Sequence, residues 1–187
     1  MPRVRQVPRD EAPEGIVTTM YDFIFGDRDP VAEPGLPNGT TGDWWTTAAL
    51  VPDLLQHSVD GFIFYRNPAR ELPPELRELA QTRIGYAAKS GFVSSQHVLA
   101  LRNLGVSEER IAAVETHRTS DVFTPVEQLV MAFADHLVHD HGSVPDEVSA
   151  PLHDALGDVA MLELTYIASM YLMQAVMSKA LRTEGDS

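Results

Sequence analysis

Apolar residues recur at the spacing of an α-helix through most of this chain, and this periodicity limits the folds that it can adopt. From Pro74 to about Lys89, one side of the segment carries Leu76, Leu79, Ala80, Ile84 and Ala87. No stretch alternates apolar and polar residues as a half-buried strand does. The sequence therefore predicts a single all-α domain of about seven to nine helices.

Helix-start and helix-stop signals divide the chain into segments. Proline opens several predicted helices, and Thr124 with Glu127 forms a capping box. The chain breaks between Ser90 and Val93, and Gly105 fits the left-handed position after a helix end. The predicted helices are Glu14–Phe25, a short one after Asp43, one from Pro52, Pro74 to about Lys89, Ser94–Leu104, Glu108–Thr116, one from Pro125, one from Pro145 that Pro151 kinks, and a long final helix capped by Asp158.

The segment Gly26–Gly42 is rich in glycine and proline, so we expect no regular structure there. Loops of this length are uncommon and tend to be lids or binding loops. A surface arm that packs on a neighbouring subunit is the alternative. We therefore divide the chain into residues 1–42, an N-terminal helix with this loop or arm, and residues 43–187, the main helical domain.

The composition narrows the classes of function. With 14 basic and 27 acidic residues the formal net charge is −13, which repels phosphate backbones and anionic lipid, so we expect neither nucleic acid nor membrane partners. The absence of cysteine excludes disulfides, thiolate metal sites and thiol redox catalysis. The N-terminus lacks an apolar signal core, and we expect a cytoplasmic protein. The apolar stretch Val159–Leu181 contains Glu163 and Gln174, and it predicts a buried helix rather than a membrane span.

One histidine, His97, lies in the first turn of the predicted helix from Ser94. The dipole there favours negative charge, so a carboxylate such as Glu78 would be needed beside a protonated imidazole. In a simple hairpin, however, Glu78 lies about 10 Å along the axis from the residue that faces His97. From spacing alone, His97 is an acid/base group or, as is more common, an ordinary surface or core histidine.

Three further histidines, His136, His139 and His141, have a spacing that suits a metal site. They also lie at a predicted helix C-terminus, where the dipole favours histidine. We take the second interpretation and predict no metal site.

A family resemblance lies in the segment LPPELRELAQTRIGYAAKSGFVSSQHVLALRNLGVSEERIAAV, which is similar to the core of the carboxymuconolactone decarboxylase and alkylhydroperoxidase D superfamily. That family's pattern is a leucine-proline-proline lead, an L-R-E-L helix, C-x-x-C-x-x-x-H, a helix and a G-[LV]-[ST]-x-E-E-I-like turn. Glu78 falls on the family's relay glutamate and His97 on its motif histidine, while Ser90 and Val93 occupy the two cysteine positions. The resemblance covers about residues 45–181.

The resemblance points to the cysteine-less branch of that family. Many cysteine-less relatives carry a pattern like S-E-Y-E-W-x-Q-H, and S-G-F-V-S-S-Q-H resembles it, with Gly91 and Val93 in place of its two glutamates. Met170 precedes Tyr171, where relatives often have histidine before tyrosine. Serine and valine do not cycle between thiol and disulfide, so peroxidase activity is excluded.

The resemblance implies an alkylhydroperoxidase D-like helical domain that forms trimers, or hexamers from two trimers. It also implies a lyase that uses no metal or organic cofactor and acts by acid/base chemistry on a small organic acid or lactone. His97 would be the general acid/base and Glu78 its partner. The alternative is a catalytically silent helical oligomer that binds a small ligand or a protein partner.

Four side chains complete the predicted site as substrate-binding residues. Arg83 or the helix start near Ser94 would hold an anionic group of the substrate. Gln96 would orient a carbonyl group. Ser90 borders the pocket and is a turn residue rather than a nucleophile, because no base stands beside it in the sequence.

Overall fold

The computed structural model describes residues 1–184, which form eight α-helices and two short 3₁₀ turns. No strand occurs in this part of the chain, so the all-α prediction is confirmed. The 3₁₀ turns are Arg9–Glu11 and His117–Thr119. The helices are α1 (Ile16–Phe25), α2 (Asp43–Ala48), α3 (Pro52–Arg66), α4 (Pro74–Ala87), α5 (Gly91–Asn103), α6 (Glu108–Ala113), α7 (Pro125–His139) and α8 (Asp146–Leu181).

The chain divides into two compact units. Unit 1 contains Met1–Asn67 and the chain from Met177 onward, and unit 2 contains Pro68–Val176. Unit 1 joins the two ends of the chain, because the backbone N–H of Arg3 donates to the carbonyl oxygen of Leu181 at 2.7 Å. The division reflects packing, and the sequence-based boundary between residues 42 and 43 stays a prediction.

The segment Gly26–Gly42 contains no helix or strand, as its composition predicted. Its own polar groups hold it in place. The guanidinium of Arg28 donates to two carbonyl oxygens of the segment (3.2 and 3.1 Å), and Asp29 accepts two of its backbone N–H groups (2.8 and 2.9 Å). Its role as a lid or as an inter-subunit arm stays a prediction.

In unit 2, α4 packs against both α5 and α7. This central position explains why α4 buries polar as well as apolar side chains on several of its faces. Leu79 and Ile84 are fully buried, and so are the polar residues Gln81 and Thr82. Buried polar groups cost free energy unless they are bonded, so the polar residues of α4 need partners from neighbouring elements.

A Schellman motif ends α4 and leads directly into α5. Lys89 adopts the left-handed conformation (φ 53°); its N–H donates to Tyr86 at 3.0 Å, and the N–H of Ser90 donates to Gly85 at 2.8 Å. The Ser90 hydroxyl oxygen then accepts the N–H of Val93 at 3.3 Å and caps α5.

The predicted start of this helix at Ser94 is wrong, because α5 begins at Gly91. The serine cap replaces the expected break, and its geometry is not visible in the apolar periodicity. His97 therefore lies in the second turn of α5, and the helix start near Ser94 that was expected to hold an anion does not exist. The C-terminal end agrees with prediction, since Gly105 has a φ of 82° directly after the C-cap Leu104.

Gly85 allows α4 and α5 to approach each other very closely. A Cβ atom at this position would lie 2.5 Å from the backbone nitrogen of Ser94 and 2.7 Å from its Cα. Side-chain atoms do not approach backbone atoms this closely. A residue without a Cβ is therefore a condition for the observed spacing of these two helices.

The long final helix, α8, is interrupted at Gly157, whose φ of 74° and ψ of 174° are not helical. This interruption stands directly before Asp158, where the sequence predicted that the long final helix begins, and the kink expected at Pro151 stays a prediction. α8 is long and apolar enough to cross a membrane by length and composition, a test that core helices of soluble proteins also pass. Glu163 is buried within it, where it accepts the N–H of Leu72 at 2.8 Å.

We expect Gly85→Ala to destabilise the protein by at least about 2 kcal/mol, because the new methyl group overpacks the α4–α5 contact. In an exposed helix the same substitution would stabilise by about 1 kcal/mol. Urea denaturation of the wild type and the variant measures the free energy of unfolding. Gly105→Ala is the control: its Cβ meets nothing within 4 Å, so it reports only the strain of a positive φ. An unchanged or raised stability for Gly85→Ala would contradict the close contact.

Candidate active site

The contact at Gly85 sets the register between α4 and α5. Because Gly85 faces Ser94 and the helices run antiparallel, His97 faces Thr82. Glu78 is one turn from Thr82, about 6 Å along the axis, a gap that a glutamate and a histidine side chain span together. The distance expected from the sequence was longer because the start of α5 had been placed a turn too late.

His97 and Glu78 form a buried hydrogen-bonded pair. The Nδ1 atom of His97 lies 2.7 Å from Oε2 of Glu78, and the two residues are only 3% and 4% exposed. Charged side chains are rarely buried unless they are paired with a partner. The structure thus brings together the two residues that the sequence predicted as catalytic, and both belong to unit 2.

Two further residues of α4 hold the carboxylate of Glu78. The guanidinium of Arg77 donates to Oε1 through Nε and Nη2, both at 3.0 Å. The amide of Gln81, oriented so that both of its atoms are satisfied, donates to Oε2 at 3.2 Å. Gln81 was missed by sequence reasoning, although its spacing of three residues from Glu78 places it on a neighbouring part of the same helix face.

These contacts decide the charge of Glu78. Burial by itself raises the pKa of the carboxyl group, but the hydrogen bond and charge of His97 and the charge and hydrogen bond of Arg77 together outweigh it. The pKa of Glu78 is therefore lowered from its ordinary value of 4.5. Glu78 is therefore an anion at neutral pH, and it accepts a hydrogen bond from the Nδ1–H group of His97.

The second ring nitrogen of His97 is available for chemistry. Nε2 is buried and has no hydrogen-bond partner within the protein. Because Nδ1–H donates to Glu78, a neutral His97 presents a lone pair at Nε2. The ring of Tyr171 from α8 packs edge-on against the imidazole, with 4.2 Å between the ring centroids and 88° between the planes. This contact fixes the direction in which Nε2 points.

Arg83 does not join His97 and Glu78. Its Nε donates to Asp135 at 2.5 Å, and its Nη1 donates to the carbonyl oxygen of Glu115 at 2.7 Å. Asp135 also accepts from His117 (3.1 Å) and Arg118 (2.9 Å). Burial raises the pKa of Asp135, but these bonds and charges hold it well below its usual range. The guanidinium of Arg83 is thus part of a structural ion cluster on α4 and α7, and its proposed hold on a substrate anion has no support from this geometry.

The other predicted binding residues lie at the start of α5. Ser90 is buried as the helix cap, which agrees with its interpretation as a turn residue. The hydroxyl of Ser94 donates to the carbonyl oxygen of Gly91 at 3.4 Å. Ser94 and Gln96 are both half-buried. Their contribution to substrate binding stays a prediction.

Of the three histidines at the end of α7, His136 has a local partner. Nδ1 of His136 lies 2.6 Å from Asp140, one turn along the chain, and His141 adopts a positive φ of 54° beyond the helix end. Within residues 1–184 no group of three or more histidine, aspartate or glutamate side chains is arranged to hold a metal ion.

Comparison with known sequences and structures identifies relatives. The sequence model of the carboxymuconolactone decarboxylase family matches residues 54–136, which include His97 and Glu78. A comparison with curated proteins gives no match.

Solved structures share the fold at low sequence identity. The debrominase Bmp8, in apo form, is 18% identical, with a TM-score of 0.74 and coverage of 95% of this chain and 90% of that one. A cysteine-to-alanine variant of Bmp8 in complex with 2,3,4-tribromopyrrole is also 18% identical, with a TM-score of 0.74 over 98% of this chain and 92% of that one. An Agrobacterium tumefaciens protein of unknown function, named as a candidate antioxidant defence protein AhpD, is 18% identical, with a TM-score of 0.67 over 72% of this chain and 92% of that one. These likenesses show the alkylhydroperoxidase D-like fold.

We expect the stability contributed by Glu78 to depend on pH. Its folded-state pKa lies below the ordinary value, so the contribution is complete above about pH 5 and is lost as the pH falls through the folded-state pKa. Glu78→Gln should therefore cost about 1–3 kcal/mol at pH 6.5 and less at pH 3.5. Urea unfolding at the two pH values measures the difference.

Glu108→Gln is the matched control for this measurement. Glu108 also has a lowered pKa, from a hydrogen bond to Arg102, but this pair is exposed and is screened by solvent. The control should show a much smaller effect. An equal cost of Glu78→Gln at both pH values would show that its carboxylate charge does not stabilise the fold.

Proposed function

We propose that this chain is a cysteine-less member of the carboxymuconolactone decarboxylase and alkylhydroperoxidase D-like superfamily, and that it is a cofactor-independent enzyme that works by acid/base chemistry. The family model that matches residues 54–136 and the shared fold support this proposal. The substrate of this enzyme is a small organic acid, a lactone or a related carbonyl compound. One observation carries the proposal: a histidine buried with a carboxylate on one ring nitrogen and no protein partner on the other.

In this mechanism His97 transfers the proton, and Glu78 holds the imidazole in the tautomer that can accept it. Glu78 holds the Nδ1–H tautomer, so that Nε2 takes a proton from the carbon next to a substrate carbonyl group. The electron pair of the broken C–H bond moves onto the carbonyl oxygen. The carboxylate of Glu78 stabilises the imidazolium formed at His97, and the same nitrogen returns the proton later in the reaction. Loss of carbon dioxide from a lactone acid is one outcome of such proton transfers.

Thiol chemistry has no place in this proposal. Ser90 and Val93 stand where the family's peroxidases have cysteines, and neither side chain supports a dithiol cycle. Ser90 is occupied as the cap of α5, and the side chain of Val93 is fully buried.

A binding protein without catalytic activity is the second candidate. The start of α5 favours this candidate, because Gly91 and Val93 stand where the S-E-Y-E-W-x-Q-H pattern of cysteine-less relatives has two glutamates. A turnover assay separates the two candidates, because the enzyme releases carbon dioxide or exchanges substrate protons and the binding protein does neither.

We also propose that the chain forms a homo-oligomer through α8, as a trimer or a dimer of trimers. Apolar side chains at positions 159, 162, 166, 173 and 176 are exposed by 45–71%. Their spacing of three, four, seven and three residues places them along one side of the helix, as in a helix-packing seam. A stripe of this kind favours a second copy of the chain over nucleic acid or membrane. A cytoplasmic location belongs to the same proposal.

We expect His97→Gln to lower turnover by about 10²–10⁴-fold, because the general base is lost while a side chain of similar size remains. The assay follows carbon dioxide release and proton exchange by NMR with a panel of lactone acids and keto acids. His136→Gln is the matched control, since His136 pairs with Asp140 at the end of α7, and it should retain turnover. Activity of His97→Gln equal to that of the wild type would end the acid/base assignment.

Replacement of the exposed apolar stripe should dissociate the oligomer. Leu162 is 71% and Val176 is 59% exposed in the single chain, so Leu162→Glu/Val176→Glu should leave each chain folded and introduce charge into the seam. Light scattering coupled to gel filtration measures the mass. Phe23→Glu changes another exposed apolar residue, 80% exposed on α1, and should leave the mass unchanged. A wild-type protein that is monomeric would refute the proposed seam.

A further inference from the structure

Gln174 is a buried polar residue that the proposed mechanism does not use. It is 2% exposed, and its Oε1 atom has no hydrogen-bond partner within the protein. A buried polar atom without a partner is costly, and such an atom in a folded protein calls for an explanation. Thr82 has an unpartnered hydroxyl as well, but a threonine in a helix can turn its hydroxyl to the carbonyl four residues earlier.

Gln174 lies beside the ring that contacts His97. Tyr171 packs on the imidazole at 4.2 Å between ring centroids, and Gln174 follows it by three residues on α8. Residues three apart in a helix have Cβ atoms about 5–6 Å from each other. Tyr171 and Gln174 are both on the buried face of α8. Nε2 of His97 and Oε1 of Gln174 are therefore unpartnered atoms of two buried residues of unit 2, each of which adjoins Tyr171.

We propose that Gln174 binds the substrate of His97 and selects a neutral reacting end that carries hydrogen-bond donors. This inference rests on the proposed function, because it concerns the same site. Oε1 of Gln174 accepts an O–H or N–H group of the substrate, while Nε2 of His97 accepts the proton that is transferred.

The charges of the site support a neutral ligand. The cation that contacts Glu78 is Arg77, and its guanidinium is bonded to that carboxylate. Arg83 is bonded to Asp135 instead. Both guanidinium groups already bond a protein carboxylate, so a substrate anion beside His97 would lose its hydration without gaining a free counter-charge from them. A lactam or a hydroxylated ring compound, which carries N–H or O–H donors, fits these two acceptors better than a carboxylate does.

The first test measures thermal stability. Gln174→Met keeps the size of the side chain and removes the unpartnered oxygen, so we expect Tm to rise by about 2–4 °C. Gln81→Met is the matched control, because the buried amide of Gln81 is bonded to Glu78 and Arg77, and this change should lower Tm. A lower Tm for Gln174→Met would show that the amide has a structural role, and it would overturn the proposal.

The second test measures binding with probes of defined chemistry. Resorcinol is neutral and has two O–H donors, 1,3-dimethoxybenzene has none, and benzoate is an anion. We expect resorcinol to shift the nitrogen-15 signals of His97 and to bind at least about tenfold more tightly than the other two probes. Gln174→Met should weaken resorcinol about tenfold, the effect of one lost hydrogen bond, while the affinity for 1,3-dimethoxybenzene should not fall.

The possible outcomes separate this inference from the proposed function. Benzoate binding as tightly as resorcinol, or an unchanged affinity of Gln174→Met for resorcinol, would overturn the role of Gln174. Neither measurement depends on turnover. If His97→Gln retained turnover while the probe selectivity held, the acid/base mechanism would fall and the neutral binding site would stand.

Discussion

The close contact of α4 and α5 at Gly85 is the constraint on which the rest of the site depends. Because Gly85 has no side chain, the backbone of Ser94 can lie within 2.5 Å of the place that a Cβ atom would occupy. This spacing brings the imidazole of His97 within 2.7 Å of the carboxylate of Glu78. A wider separation would break this pair and leave the buried Nδ1–H group of His97 without its partner, which costs about 1–3 kcal/mol. The helix spacing that Gly85 allows is thus also the spacing that the hydrogen bond between His97 and Glu78 requires.

The buried charges of unit 2 are neutralised in local groups. Glu78 is balanced by Arg77 and receives the Nδ1–H of His97, whereas Asp135 is surrounded by Arg83, His117 and Arg118. Each carboxylate has a lowered pKa because its partners outweigh the effect of burial. This arrangement leaves Nε2 of His97 buried and without a hydrogen-bond partner in the protein, as an acceptor when the imidazole is neutral.

Most helices could be predicted from the sequence, and the errors have local causes. Pro52, Pro74 and Pro125 begin their helices as expected, because proline fits the first position and its missing N–H costs nothing there. The start of α5 was placed too late because a serine cap and a left-handed lysine replaced the turn residues that signal a break. The break in α8 lies directly before Asp158, where the final helix was predicted to begin, because Gly157 adopts a positive φ at little cost.

The sequence by itself determined the helical class and the exclusion of thiol chemistry, and its family resemblance indicated the candidate pair. Periodicity and composition are local properties that each segment carries without its neighbours. Only the tertiary structure decided that Glu78 meets His97, that Arg83 is bound to Asp135, and that Gln81 supports the site. These contacts depend on the register and distance between helices, which follow from packing of whole faces and from the absence of one Cβ atom.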